Sequence, residues 1–183
     1  MFSQRKEKVM EKILIIVDMQ KDFVDGSLGT KEAQEIVPSV KEKIENFDGG
    51  IIFTLDTHTE EYMDTQEGHN LPVPHCIKGT PGHAITEELQ PYTKGALAIF
   101  EKETFGSRKL ASFLKEFHKE KEIESIELIG LCTDICVVSN ALLIKAFLPE
   151  VPIIVDSSCC VGVTPKKHES ALETMRSCQI EVK

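Results

Sequence analysis

Six short β-branched runs separated by longer helical patterns constrain the fold of this chain more than any other feature. The runs are KILIIV (12–17), GIIFTL (50–55), ALAIFE (96–101), SIELIG (125–130), VPIIVD (151–156) and the weaker QIEV (179–182). Between them, stretches near 33–46, 107–120, 135–146 and 166–177 carry apolar residues at three- and four-residue spacing, as in Leu110, Phe113, Leu114 and Phe117. Such alternation predicts βαβ units, and near-continuous apolar strands predict a sheet buried on both faces. The expected fold is a single-domain α/β doubly wound sandwich with about six mostly parallel strands and helices on both faces. That domain is expected over 12–183, after an N-terminal extension, 1–11, to which no function is assigned.

Charge and composition narrow the partner class. With 21 basic against 30 acidic residues the formal charge is −9, and no Lys/Arg stripe follows the short N-terminal segment. A nucleic-acid partner is therefore not expected, and a small molecule is. Apolar runs such as ILIIV are too short to span a bilayer, and the N-terminus has no signal-peptide pattern. A cytoplasmic protein is expected, with self-association left open. Six irregularly spaced cysteines fit reduced thiols better than a disulfide framework.

In a doubly wound sheet, ligands bind beyond the carboxyl ends of the strands, so the residues that follow each run matter most. The first run leads to Asp18, the second to Asp56 and His58, the third to Lys102, and the fourth to Cys132 and Cys136. Each has a bland reading as a turn, surface or core residue, but together they suggest a site. Cys136 opens the pattern CVVSNALLIKAF, so its thiol is expected in a first helical turn. There the helix end and a nearby ammonium can lower a thiol pKa by about two units, worth roughly 2.7 kcal/mol in favour of thiolate. Lys102 can supply that charge and Asp18 can receive the proton. The competing reading is a packed core cysteine. Spaced four apart, Cys132 and Cys136 do not form a redox C-x-x-C motif, and no second pair completes a zinc clip.

Asp56 and His58 stand two apart, so an extended backbone points them the same way, as divalent-metal ligands require. Glu67, His69 and His75, in the long segment 56–95, are candidates for further ligands. A carboxylate–imidazole set with open positions suits zinc, iron or manganese. The alternative is an Asp-capped turn with exposed loop histidines.

Taken in order, IIVDMQKDF, FTLDTHTEEYMDTQEGHNLPVPHCIKGTPG, FEKETFGS and IELIGLCTDICVVSNAL resemble the isochorismatase-like cysteine hydrolases, the metal-bearing segment being similar to that of nicotinamidases. The resemblance runs from residue 12 to 183. It implies Asp18 as general base, Lys102 as cationic partner and Cys136 as nucleophile, with a thioester intermediate. It also implies an oxyanion hole of the Cys132 and Cys136 backbone N–H groups, after a cis Leu131–Cys132 bond. The implied metal ligands are Asp56, His58 and His75, with Glu67 preferred to Asp64 or His69 as the fourth and zinc as the expected ion. Many nicotinamidases hold the substrate ring with a tryptophan, which this chain lacks. Phe23, Leu131, Phe105 and Tyr62 are expected to bind substrate instead. The implied activity is conversion of nicotinamide to nicotinate and ammonia in NAD salvage, with activity on pyrazinamide. Hydrolysis of another small amide or ureide is the alternative.

Overall fold

The computed structural model describes residues 10–183; residues 1–9, most of the expected extension, lie outside the described residues. Strand β1 (Glu11–Val17) begins one residue before the expected domain start, because the Glu11 N–H already donates to Glu122 O at 2.8 Å. The other strands are β2 (Gly50–Asp56), β3 (Ala98–Lys102), β4 (Ile123–Leu131), β5 (Ile153–Val161) and β6 (Glu181–Val182). They form one six-stranded sheet in the order β3-β2-β1-β4-β5-β6, every neighbouring pair parallel.

Period-two alternation explains why this sheet needs helices on both faces. Ile13, Ile15 and Val17 of β1 enter one core, with Leu110 and Leu114 of α4 (Arg108–Glu120), Ile144 of α5 (Val138–Phe147) and Leu172 of α6 (Pro165–Ser177). Leu14 and Ile16 enter the opposite core, with Ile36, Val40 and Ile44 of α2 (Lys31–Asn46). Each such side chain, fully buried, contributes about 1.5–3 kcal/mol of transfer free energy. Helix starts follow their caps: the hydroxyls of Thr30, Ser107 and Thr164 accept the N–H groups of Ala33, Leu110 and Lys167. Two short helices, α1 (Lys21–Val24) and α3 (Gln66–Asn70), lie in the connections after β1 and β2.

Several boundaries move from their expected places for identifiable reasons. Strand β5 runs on to Val161, because Gly130 and Leu131 pair with Cys160 and Val161 after a shift in register. The polar Asp156–Ser158 segment hides this continuation in the sequence. Residues Gln90–Gly95 make a 3-10 turn, so β3 starts at Ala98, and Gln179 at φ 64° delays β6. The segment 56–95 is ordered by bridges pairing His58 with Ile77 and Gln20 with Ile85.

The order of strands reverses between β1 and β4, which places their carboxyl ends at the switch point where such sheets bind ligands. The two strands approach closely there. Gly130 has φ 115°, and a Cβ on it would lie 2.2 Å from Val17 O, so only glycine fits.

Candidate active site

Four strand ends meet at one buried cluster. Asp18 follows β1 at φ 48°, Asp56 ends β2, Lys102 ends β3, and β4 delivers the Cys132–Cys136 turn. Lys102 Nζ lies 2.7 Å from Asp18 Oδ2, 3.0 Å from Asp56 Oδ1 and 3.3 Å from Cys136 Sγ. Asp18 is fully buried, and Lys102 and Cys136 are nearly so. Thr54 donates to Asp18 Oδ1 at 2.6 Å. Asp18 Oδ2 is approached by the Lys102 ammonium at 2.7 Å, and the second lone pair of a carboxylate oxygen can still take a proton.

Cys136 sits in a π-helical turn, Thr133–Val137, that runs directly into α5. Wide turns of this kind recur at functional sites. The Leu131–Cys132 peptide entering the turn is cis, and Leu131 is buried. Burial, then the neighbouring Asp18, push the Cys136 thiol well above its ordinary range despite Lys102. The expected depression is therefore reversed in the resting site: desolvation and two carboxylates outweigh one ammonium and a helix end. Burial and Asp56 also raise Asp18 against the pull of Lys102. Lys102 stays an ammonium, its own burial overcome by Asp18 and Asp56. At rest the thiol holds the proton.

A second cluster adjoins the first. Asp56, His58, Glu67 and His75 bring one ligand atom each to within 4.8 Å of one another, and no other such group occurs among the described residues. His58 Nε2 lies 2.9 Å from Asp56 Oδ2 and 3.7 Å from Glu67 Oε1; His75 Nε2 lies 3.6 and 3.8 Å from the same atoms. Ligands about 2.1 Å from a tetrahedral ion stand roughly 3.4 Å apart, so the cluster has the size of a divalent-metal site. His75 Nδ1 donates to Val73 O at 2.8 Å, which fixes its tautomer and turns the Nε2 lone pair inward. Although burial opposes it, the hydrogen bond from His58 and the charge of Lys102 hold the Asp56 carboxyl well below the usual range. Donor set, spacing and ionisation all fit a divalent metal. Asp64 and His69, the alternative ligands, are exposed and lie outside the group.

Local structure explains the ligand placement. Glu67 lies in α3, whose N-cap Thr65 accepts the Gly68 N–H. A Cβ on Gly68 would meet Tyr62 O at 2.1 Å, so glycine lets α3 close on the preceding turn. The backbone N–H of Cys76, next to His75, donates to Asp22 Oδ2 at 2.7 Å. Tyr62 is buried edge-on against both imidazoles, with its hydroxyl donating to Leu71 O. Burial, Glu67 and Asp56 push that phenol up to about 12. The Phe23 ring lies 5.4 Å from that of His75, whereas Phe105 is exposed on the loop after Lys102.

Thr54, Asp22 and Asn140 also build the site but are absent from the sequence expectations. Asn140, fully buried, donates to Cys136 O at 2.8 Å and Phe105 O at 3.1 Å and accepts from Ser107 N–H at 2.9 Å. It ties the Cys136 turn to the loop carrying Phe105. The available signal was a polar residue on the buried face, four positions beyond Cys136.

The sequence profile described as "Isochorismatase domain" matches residues 12–182. The chain belongs to the isochorismatase family. It is an amide-bond hydrolase. An uncharacterised isochorismatase family protein of Bacillus subtilis is 32% identical over 174 residues, 89% of this chain and 93% of that one. The nicotinamidase/pyrazinamidase of Mycobacterium tuberculosis is 25% identical over 190 residues, 92% and 96% of the two chains. Among solved structures, the pyrazinamidase of Pyrococcus horikoshii in complex with zinc superposes with a TM-score of 0.77 at 30% identity, covering 94% of this chain and 98% of that chain. Among the described residues, no helix of this isochorismatase-family chain is long and apolar enough to cross a membrane.

Proposed function

We propose that this chain is a metal-dependent nicotinamidase that also accepts pyrazinamide, with Cys136 as nucleophile, Asp18 as proton carrier and Lys102 as the cation between them. The observation that carries the reading is the position of Lys102 Nζ, within 3.3 Å of Cys136 Sγ, Asp18 and Asp56. One ammonium there serves both the nucleophile and the ligand cluster.

In this reading Asp18 takes the thiol proton as sulfur attacks the carboxamide carbon, so no free thiolate has to persist in the resting site. Lys102 offsets the charge on sulfur while that bond forms. Negative charge on the substrate oxygen falls to the Cys132 and Cys136 backbone N–H groups at the helix entrance. Asp18 then returns its proton to the departing nitrogen, ammonia leaves, and water hydrolyses the thioester to the acid and free thiol. Asp56, His58, Glu67 and His75 would hold the ion, of which zinc best suits the donor set. When bound, the ion supplies an electrophilic anchor for a pyridine-type nitrogen. Phe23, Leu131 and Phe105 supply apolar contacts to the ring, while Tyr62 acts through the two imidazoles it holds.

The similarity to nicotinamidases and pyrazinamidases supports this substrate class. The test is release of nicotinate and ammonia from nicotinamide by zinc-loaded protein, abolished in Cys136→Ala. No turnover by the loaded wild type would overturn the assignment.

A further inference from the structure

We propose that Gln20 is a positioning residue for the metal cluster and the catalytic lysine together, acting by clamping the backbone of Asp56. It deepens the reading above, on which its activity arm rests. Gln20 is fully buried two residues after Asp18. Its Oε1 accepts the Asp56 N–H at 2.7 Å, and its Nε2 donates to Asp56 O at 2.8 Å and to His83 O at 2.9 Å. The orientation of the amide is unambiguous: a peptide N–H only donates and two carbonyls only accept, so oxygen and nitrogen cannot be exchanged.

This pairing continues the sheet by other means. Strand β1 ends by pairing Val17 with Thr54, two residues short of Asp56, which on its other side pairs with Lys102. The Gln20 side chain occupies the missing neighbour's place and satisfies both backbone groups of Asp56. Asp56 divides its carboxylate between two tasks, with Oδ1 on Lys102 and Oδ2 on His58 and His75. A backbone shift at Asp56 therefore moves a metal ligand and the lysine's partner together. The third bond, to His83 O, ties the loop closing segment 56–95 to the same point.

The test uses the full chain and zinc itself, in competition with a chromogenic chelator. Gln20→Met keeps the length of the side chain and removes all three bonds. Gln20→Asn is polar and smaller but one methylene short of its partners. Each is expected to weaken zinc binding about 10–100-fold, the range for residues that orient metal ligands, and to lower kcat at saturating zinc. The control, Met175→Ala, truncates the remote α6 core; it is expected to lower the thermal midpoint while changing zinc affinity by no more than about twofold. Should the methionine variant not fold, the asparagine variant decides. Folded Gln20 variants within about twofold of wild-type affinity would overturn the proposal, as would equal loss in Met175→Ala or a wild type that binds no zinc. A wild type that binds zinc without hydrolysing nicotinamide would overturn the substrate assignment, leaving the Gln20 proposal to be decided by the zinc competition.

Discussion

Replacing Lys102 by methionine keeps the side chain's length and removes its charge, leaving Asp18 and Asp56 buried without their shared cation. At an effective dielectric of about 20, the contacts at 2.7 Å and 3.0 Å are worth about 6 and about 5.5 kcal/mol before desolvation. Desolvation of each ion takes back several kcal/mol, so the net loss on breaking the pairing is about 3–5 kcal/mol. A domain with about 5–15 kcal/mol of stability stays folded at 25 °C, with a much lower urea midpoint. If the cause is orphaned charge rather than lost packing, Asp18→Asn in the same chain should restore about 1–3 kcal/mol. The assay is urea unfolding of zinc-saturated wild type, both single variants and the double variant at pH 7. Turnover of Lys102→Met on the same preparations should fall at least about a hundredfold, since sulfur loses the cation at 3.3 Å. A loss below about 1 kcal/mol with strictly additive substitutions would refute the electrostatic account.

In the proposed mechanism Cys132 contributes only its backbone N–H, so Cys132→Ala should leave kcat within a few-fold of wild type; a loss comparable to that of Cys136→Ala would mean that its sulfur takes part. Away from the site, Lys43 ties α2 to the sheet through Glu127 at 2.5 Å and Asp156 at 2.8 Å, and its side chain is 25% exposed. Lys43→Met should cost about 2 kcal/mol at pH 7, less than for a fully buried pair because water screens the ammonium. Against its partial burial, the bond from Lys43 and then that from Ser158 hold Asp156 below the usual carboxylate range. A depressed carboxyl stabilises the fold above its unfolded pKa of about 3.9, and that contribution disappears as pH falls through the lower folded value. Lys43 is raised, partial burial being outweighed by Asp156 and Glu127, so its contribution holds below about 10.4 and is lost only above the folded value. The stability gap between wild type and variant should therefore be flat near neutrality and close as pH falls below the unfolded value of about 3.9, as followed by thermal unfolding across pH. A gap independent of pH would show that Lys43 acts by packing alone.

The sequence disclosed the parts of this site that act through strand ends and local spacing. Apolar runs marked where β1 to β4 stop, and the rule that ligands of a doubly wound sheet sit past the carboxyl ends of its strands singled out Asp18, Asp56, Lys102 and Cys136. The two-residue spacing of Asp56 and His58 implies a shared face, whereas spacing alone does not separate Glu67 from Asp64 and His69: the resemblance prefers Glu67, and the turn of α3 with its close approach at Gly68 is what brings it to the cluster. The cysteine's surroundings are half legible for a related reason: a helix end and a lysine can be read along the chain, whereas the burial beside Asp18 that raises the thiol arises only on folding. Least legible were the buried amides. Gln20 reaches backbone atoms 36 and 63 residues away, and Asn140 bonds Ser107 across 33. Their partners are peptide groups, which every residue offers, so no pairing of side-chain types betrays them. What the sequence does provide is a polar residue where an apolar period calls for a core residue. Because an unsatisfied buried amide costs about 1–3 kcal/mol, such a residue implies a partner even before the partner can be named.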